Sequence, residues 1–177
     1  MRINSTRLVA IIAAMLQKPE NLVDSSLKHL QRHRLLRAAG GGRGQGHPCE
    51  FGPAEIVTLC VAFELMETGI TPKRTSQAIE QSGTDMLDAM AAVMANRARA
   101  DILLALDGSL TSCSPEVIVQ WARSRGSTRS AVLVNMARMV DDLRNAVADA
   151  MGREAAPILE ALDAWAADIV ITRGNAS

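Results

Sequence analysis

Five side chains within residues 22–37, LVDSSLKHLQRHRLLR, have the types needed to grip an anion or a polar edge: Ser25, Ser26, Lys28, His29 and Arg32. They are hydroxyl, ammonium, imidazole and guanidinium donors of moderate length, the kind that reach phosphate oxygens and base edges. Leu27, Leu30 and Leu35 recur among them near helical spacing, so one apolar rib can seat a helix while the donors occupy the remaining surface. Asp24 is expected to cap the start of this helix, its carboxylate accepting first-turn N–H groups. A basic helix face on its own is more often a solvated face than a binding site. Further donors lie close by at Arg34, Arg37, Arg43 and Gln45, and again at Lys73 and Arg74.

Charge supports an anionic partner for the first part of the chain. Net charge over all 177 residues is zero, yet residues 1–47 hold eight Lys/Arg against two acids, and the excess of acids falls in the remainder. Aromatics are only 2%, with no Tyr, which argues against single-strand binding by base stacking. The 48% hydrophobic content is enough for a core, and it must be built from Leu, Ile, Val, Ala and nine Met, a composition that leans helical.

Catalytic chemistry finds little footing. The three histidines, His29, His33 and His47, all sit in the basic region without a nucleophile partner by motif. Cys49, Cys60 and Cys113 have no metal-ligand spacing, and Cys113 reads as a loop thiol. The run GGGRGQG lacks the Lys-Ser/Thr of a phosphate loop. No enzyme activity, metal or cofactor is therefore expected. The odd cysteine count, with neither a signal-peptide pattern nor a membrane-length apolar run, implies reduced thiols and a cytoplasmic, nucleoid-associated protein with no membrane partner.

The elements that would position these donors can be read in order. Residues 5–17 form a first helix, capped by Ser5 or Thr6, with Leu8, Ile11, Ile12, Met15 and Leu16 as its stripe. Pro19 separates it from a second helix over residues 23–36, the makings of a helix-turn-helix. Five of the twelve glycines fall within residues 40–46. That segment is either a flexible linker or the tip of a β-hairpin wing carrying Arg43, Gln45 and His47, flanked by residues 35–37 and 49–51. Gly52-Pro53 opens a third helix ending at Gly69, and Thr71-Pro72 starts a fourth, to about residue 81, with Lys73 and Arg74 as a phosphate clamp at its N-terminus.

In the second half, Thr84 caps a fifth helix to about residue 99, with Met86, Met90, Val93 and Met94 on one face, as core or as an adaptable pocket. Residues 101–106 and 130–136 are short apolar runs expected to pair as a two-stranded sheet. Between them a helix starts at Ser114-Pro115 and runs to about residue 125. Arg123, Arg125 and Arg129 form a second basic cluster, more readily a solvated loop than an effector site. Two helices follow, over residues 137–151 and 154–171, as core or as a dimer seam.

This order of parts resembles the MerR family of winged-helix transcription regulators. The residues carrying the resemblance are LKHLQRHRLL (27–36), the wing end GHPCEF (46–51) and GPAEIVTLCVAFELMETGITPKRTSQAI (52–79). It covers about residues 5–81. The resemblance implies that Lys28 replaces a DNA-contacting Arg, that His29 and Leu30 stand where Tyr is frequent, that Arg32 keeps a basic position and that Phe51 closes the wing. Pro48-Cys49 departs from the usual wing Arg, and Arg34 stands where the family usually has Gly.

The expectation is thus a mainly α protein. A winged helix-turn-helix DNA-binding domain over residues 1–82, with a small β-hairpin wing, precedes a mostly helical dimerisation or regulatory domain over residues 83–177 with a possible two-stranded sheet. The expected function is a sequence-specific regulator binding double-stranded DNA as a homodimer, with no effector identifiable. An architectural DNA-binding protein, excisionase-like or packaging, is the alternative in the same field. A helical protein-interaction module without DNA binding is the alternative from another class.

Overall fold

The computed structural model describes residues 1–32, 50–96, 102–106, 109–123 and 131–174. The protein is mainly helical. Strand β1 (Ile3–Asn4) leads into helix α1 (Ser5–Leu16) and then α2 (Glu20–Arg32). The cap of α1 is Asn4 rather than Ser5 or Thr6: its Oδ1 accepts from the Arg7 N–H at 3.0 Å. Gln17 ends α1 in the left-handed region at φ 53°, and Lys18 N–H donates back to the Ala13 carbonyl.

Helix α2 begins earlier than its sequence suggests. The Pro19 carbonyl accepts from the N–H groups of Leu22 and Val23, so the first turn starts at Glu20. Asp24 therefore lies in the second turn, beyond reach of the orphan N–H groups, and does not cap the helix.

Strand β2 (Glu50–Phe51) pairs antiparallel with β1, Ile3 opposite Phe51 and Asn4 opposite Glu50. The partner of the Glu50–Phe51 strand is thus the N-terminus. The segment 35–37, expected to pair with it across a wing, lies outside the described residues, as does the glycine-rich run.

Helix α3 (Pro53–Glu67) carries apolar residues around its whole circumference and is the central helix, with Ile56, Val57, Leu59, Cys60, Val61, Ala62, Phe63 and Leu65 all buried. Its start is fixed by the buried Glu55, which accepts from Gly52 N–H at 2.9 Å and from Arg2 at 3.1 Å. Burial, with some help from nearby Glu64, pushes the Cys60 thiol up to about 12, so it stays protonated and inert.

Where two helices were expected on either side of residues 82–84, one continuous helix, α4 (Pro72–Ala95), runs through. Ser82-Gly83-Thr84 does not break it, because Ile79, Met86, Met90, Val93 and Met94 form a single buried stripe whose packing outweighs the modest helix cost of one glycine. The boundary expected between residues 82 and 83 falls inside α4. The methionines of the stripe are core residues. Thr71 and Pro72 begin the helix as expected, Thr71 Oγ1 accepting from Arg74 N–H at 3.5 Å.

Three strands follow in the order β4–β3–β5. Strands β3 (Ile102–Leu106) and β5 (Val132–Asn135) pair antiparallel, Leu103 opposite Val134. The sheet is larger than the expected pair: β4 (Ser109–Cys113) adds to the other edge of β3, which also puts Cys113 at a strand end instead of in a loop. Leu103, Leu110 and Val134 face inward, and α4 covers β4. Helix α5 (Pro115–Arg123) crosses from β4 to β5.

Helices α6 (Met136–Met151) and α7 (Ala155–Gly174) complete the fold across one 3-10 turn at Gly152–Glu154. Their apolar rows pack inward: α6 buries Met139, Val140, Leu143 and Val147 against α1, and α7 buries Ile158, Leu162 and Ala166 against α4. Those rows are core and not an open seam. One contiguous core joins α1 and α2 to the later helices. No helix among the described residues is long and apolar enough to cross a membrane.

Candidate nucleic-acid interface

Helix α2 is seated by Val23, Leu27 and Leu30, all buried. Those three positions fix which way every other side chain of the helix points. Ser25, Lys28, His29 and Arg32 fall on the opposite side and are exposed. Ser26 sits on the shoulder and is partly buried, so it is the least available of the five residues named from sequence.

Two residues join this outer face that sequence reading left out. Asn21 and Leu22 belong to the first turn, because α2 starts at Glu20; Asn21 is exposed and Leu22 is 54% exposed. The signal was Pro19, which ends one helix but also opens the next, since a proline at a helix start loses no hydrogen bond. An exposed Asn can pair with the two hydrogen-bonding atoms of an adenine edge, and an exposed Leu can pack on a thymine methyl.

Charge runs along α2 with its dipole: Glu20 and Asp24 stand towards the N-terminus, Lys28, His29 and Arg32 towards the C-terminus. Lys28 donates to Asp24 Oδ2 at 2.6 Å, one turn back. The outer face is therefore less positive at Lys28 than at Arg32.

Lys73 and Arg74 are exposed in the first turn of α4, which packs against α2. Arg34, Arg37, Arg43 and Gln45 lie outside the described residues, as do Arg125 and Arg129; Arg123 is exposed at the end of α5.

Several basic residues on other elements are engaged in structure. Arg7 reaches Glu154 of the 3-10 turn, Lys18 pairs with Glu67 at 2.5 Å, and Arg144 makes two hydrogen bonds to Asp163. Among the described residues no group of three or more His, Cys, Asp or Glu is arranged to hold a metal ion.

By class, the fold and this surface define a mainly helical protein presenting an amphipathic helix with donors on its outer side. No protein-family model matches the chain, and a comparison with curated proteins finds no match.

Proposed function

We propose that the chain is a sequence-specific regulator of transcription that binds double-stranded DNA, of MerR-like winged helix-turn-helix type. The observation carrying this reading is the orientation of α2: Val23, Leu27 and Leu30 are spent on the core, which leaves Asn21, Leu22, Ser25, Lys28, His29 and Arg32 together on the outer side. A recognition helix needs this division between a seat and a reading face, with base-edge residues towards its N-terminus.

Two further features support it. Helices α1 and α2 pack on each other across the short Gln17–Pro19 turn. The pairing of β1 with β2 sets Ile3 opposite Phe51 and so closes the stretch that contains α1 and α2. Arg32 and Lys28 would neutralise phosphates or read guanine edges, and Lys73 and Arg74 would hold the backbone at the N-terminus of α4. The excess of acids after residue 47 would keep the rest of the chain off the duplex.

Selection of bound duplexes from a random DNA pool, at low and at physiological salt, tests the reading. A recovered consensus whose affinity falls steeply with salt supports it. Recovery of no consensus at either salt overturns it.

A further inference from the structure

Large apolar side chains remain exposed among the described residues at Met1, Leu22, Val117, Val119, Leu133, Val170 and Ile171. Val117, Val119 and Leu133 all belong to the stretch that runs from β4 through α5 to β5. On α5, Val117 and Val119 are exposed and Ile118 is partly buried. On α7 the row of Ile158, Leu162 and Ala166 is covered, while Val170 and Ile171 near its end are exposed as well.

The outer side of α5 has a particular charge order. Glu116, Val119, Gln120 and Arg123 recur at helical spacing, so they share one face, and all four are exposed. Ile118, half-buried, points away from that face. Glu116 and Arg123 are seven residues apart, about 10 Å along the axis, too far to pair with one another. Ser114 hydrogen-bonds Glu116 and holds its carboxyl below the usual range, so the group is anionic.

We propose that this face of α5 is a self-association surface and that its occupant is α5 of a second copy of the chain, packed antiparallel about a two-fold axis. A two-fold contact requires a self-complementary patch. An antiparallel pair with its axis between Val119 and Gln120 sets Glu116 of each copy beside Arg123 of the other, twice, with the two Val119 side chains between them. A parallel pair would set like charges together. Val119 of each copy is then covered and both charged ends are matched.

The helix is short against the roughly 1,200 Å² that a specific stable interface buries. The dimer is therefore a reversible one, populated as concentration rises. This inference does not depend on DNA binding, and its test contains no DNA.

Sedimentation velocity on the full chain, across a concentration series, reads it out. The wild type shifts from monomer to dimer as concentration rises. Glu116→Arg and Arg123→Glu each leave the chain monomeric at every concentration, because each places like charges together. The double variant, E116R with R123E, restores the dimer. Val119→Asp abolishes it. All three substituted positions are exposed, and circular dichroism confirms that each variant stays folded. A wild type that remains monomeric, single reversals that still dimerise, or a double reversal that fails to rescue would each overturn the proposal.

Discussion

Lys28 donates a hydrogen bond to Asp24 at 2.6 Å, so α2 carries a counter-charge one turn before that ammonium. Lys28 is exposed and Asp24 partly so, and the pair itself stabilises the fold little, about 0.3–0.5 kcal/mol. Its consequence is on binding. Asp24→Asn frees the ammonium and removes a charge that repels phosphate. Affinity for duplex DNA is expected to rise, and the slope of log affinity against log salt to steepen by about one. Fluorescence anisotropy over a salt series checks both, while thermal stability should barely move.

Glu55 joins the N-terminus of the chain to the start of α3. It is buried, and it holds Gly52 N–H with one oxygen and Arg2 with the other. Glu55→Ala leaves that N–H unpartnered and should cost about 2–3 kcal/mol in chemical denaturation. Gly52→Ala acts on the same contact from the other side, because a Cβ there would sit 2.9 Å from Glu55 Oε2. Its φ of −88° carries no strain, so the loss expected is that of displacing the Glu55 carboxylate.

Gly83 lies mid-helix in α4, and a Cβ at that position would meet only Ile79 Cγ2, at an ordinary 3.9 Å. Gly83→Ala should therefore stabilise the protein by about 0.5–1 kcal/mol, since alanine loses less backbone freedom in a helix. A helix broken at residues 82–84 would instead lose stability. Calorimetric melting of the variant separates the two.

Glu64 is half-buried on α3, and its carboxyl is pushed above the usual range by burial first and then by Asp142 and Glu67, against a smaller opposing effect of Arg138. The folded state thus holds this proton more tightly than the unfolded chain does. Between the ordinary Glu range and the raised folded value, stability falls as pH rises. Glu64→Gln removes the charge that is disfavoured at neutral pH. The variant is expected to melt higher than wild type near neutrality, with the difference shrinking as pH is lowered past the ordinary Glu range.

Legibility in the sequence followed local chemistry. The starts of α3 and α4 were readable because Gly52-Pro53 and Thr71-Pro72 are strong helix openings that no tertiary contact overrides. The division at residues 82–84 misled because Ser-Gly-Thr carries turn propensity, while the stripe from Ile79 to Met94 that overrides it becomes visible only when packed. Strand β4 escaped because Ser109-Leu110-Thr111-Ser112-Cys113 offers one large apolar residue, and its edge position lets the hydroxyls face outward. On α2 the rib of Leu27 and Leu30 correctly set the outer face. Asn21 and Leu22 were lost with the helix start, and Ser26 was overrated because a shoulder position cannot be told from a face by residue type.

Everything proposed for function turns on the outer face of α2, and one titration reaches it directly. The wild-type chain and a variant carrying Lys28→Ala with Arg32→Ala are measured against a duplex selected by the wild type and against a scrambled duplex. The substituted residues are exposed, so the variant should unfold at the wild-type temperature. The account predicts that the variant loses its preference for the selected duplex and binds both weakly and equally. A folded variant that keeps the wild-type preference and affinity would contradict it.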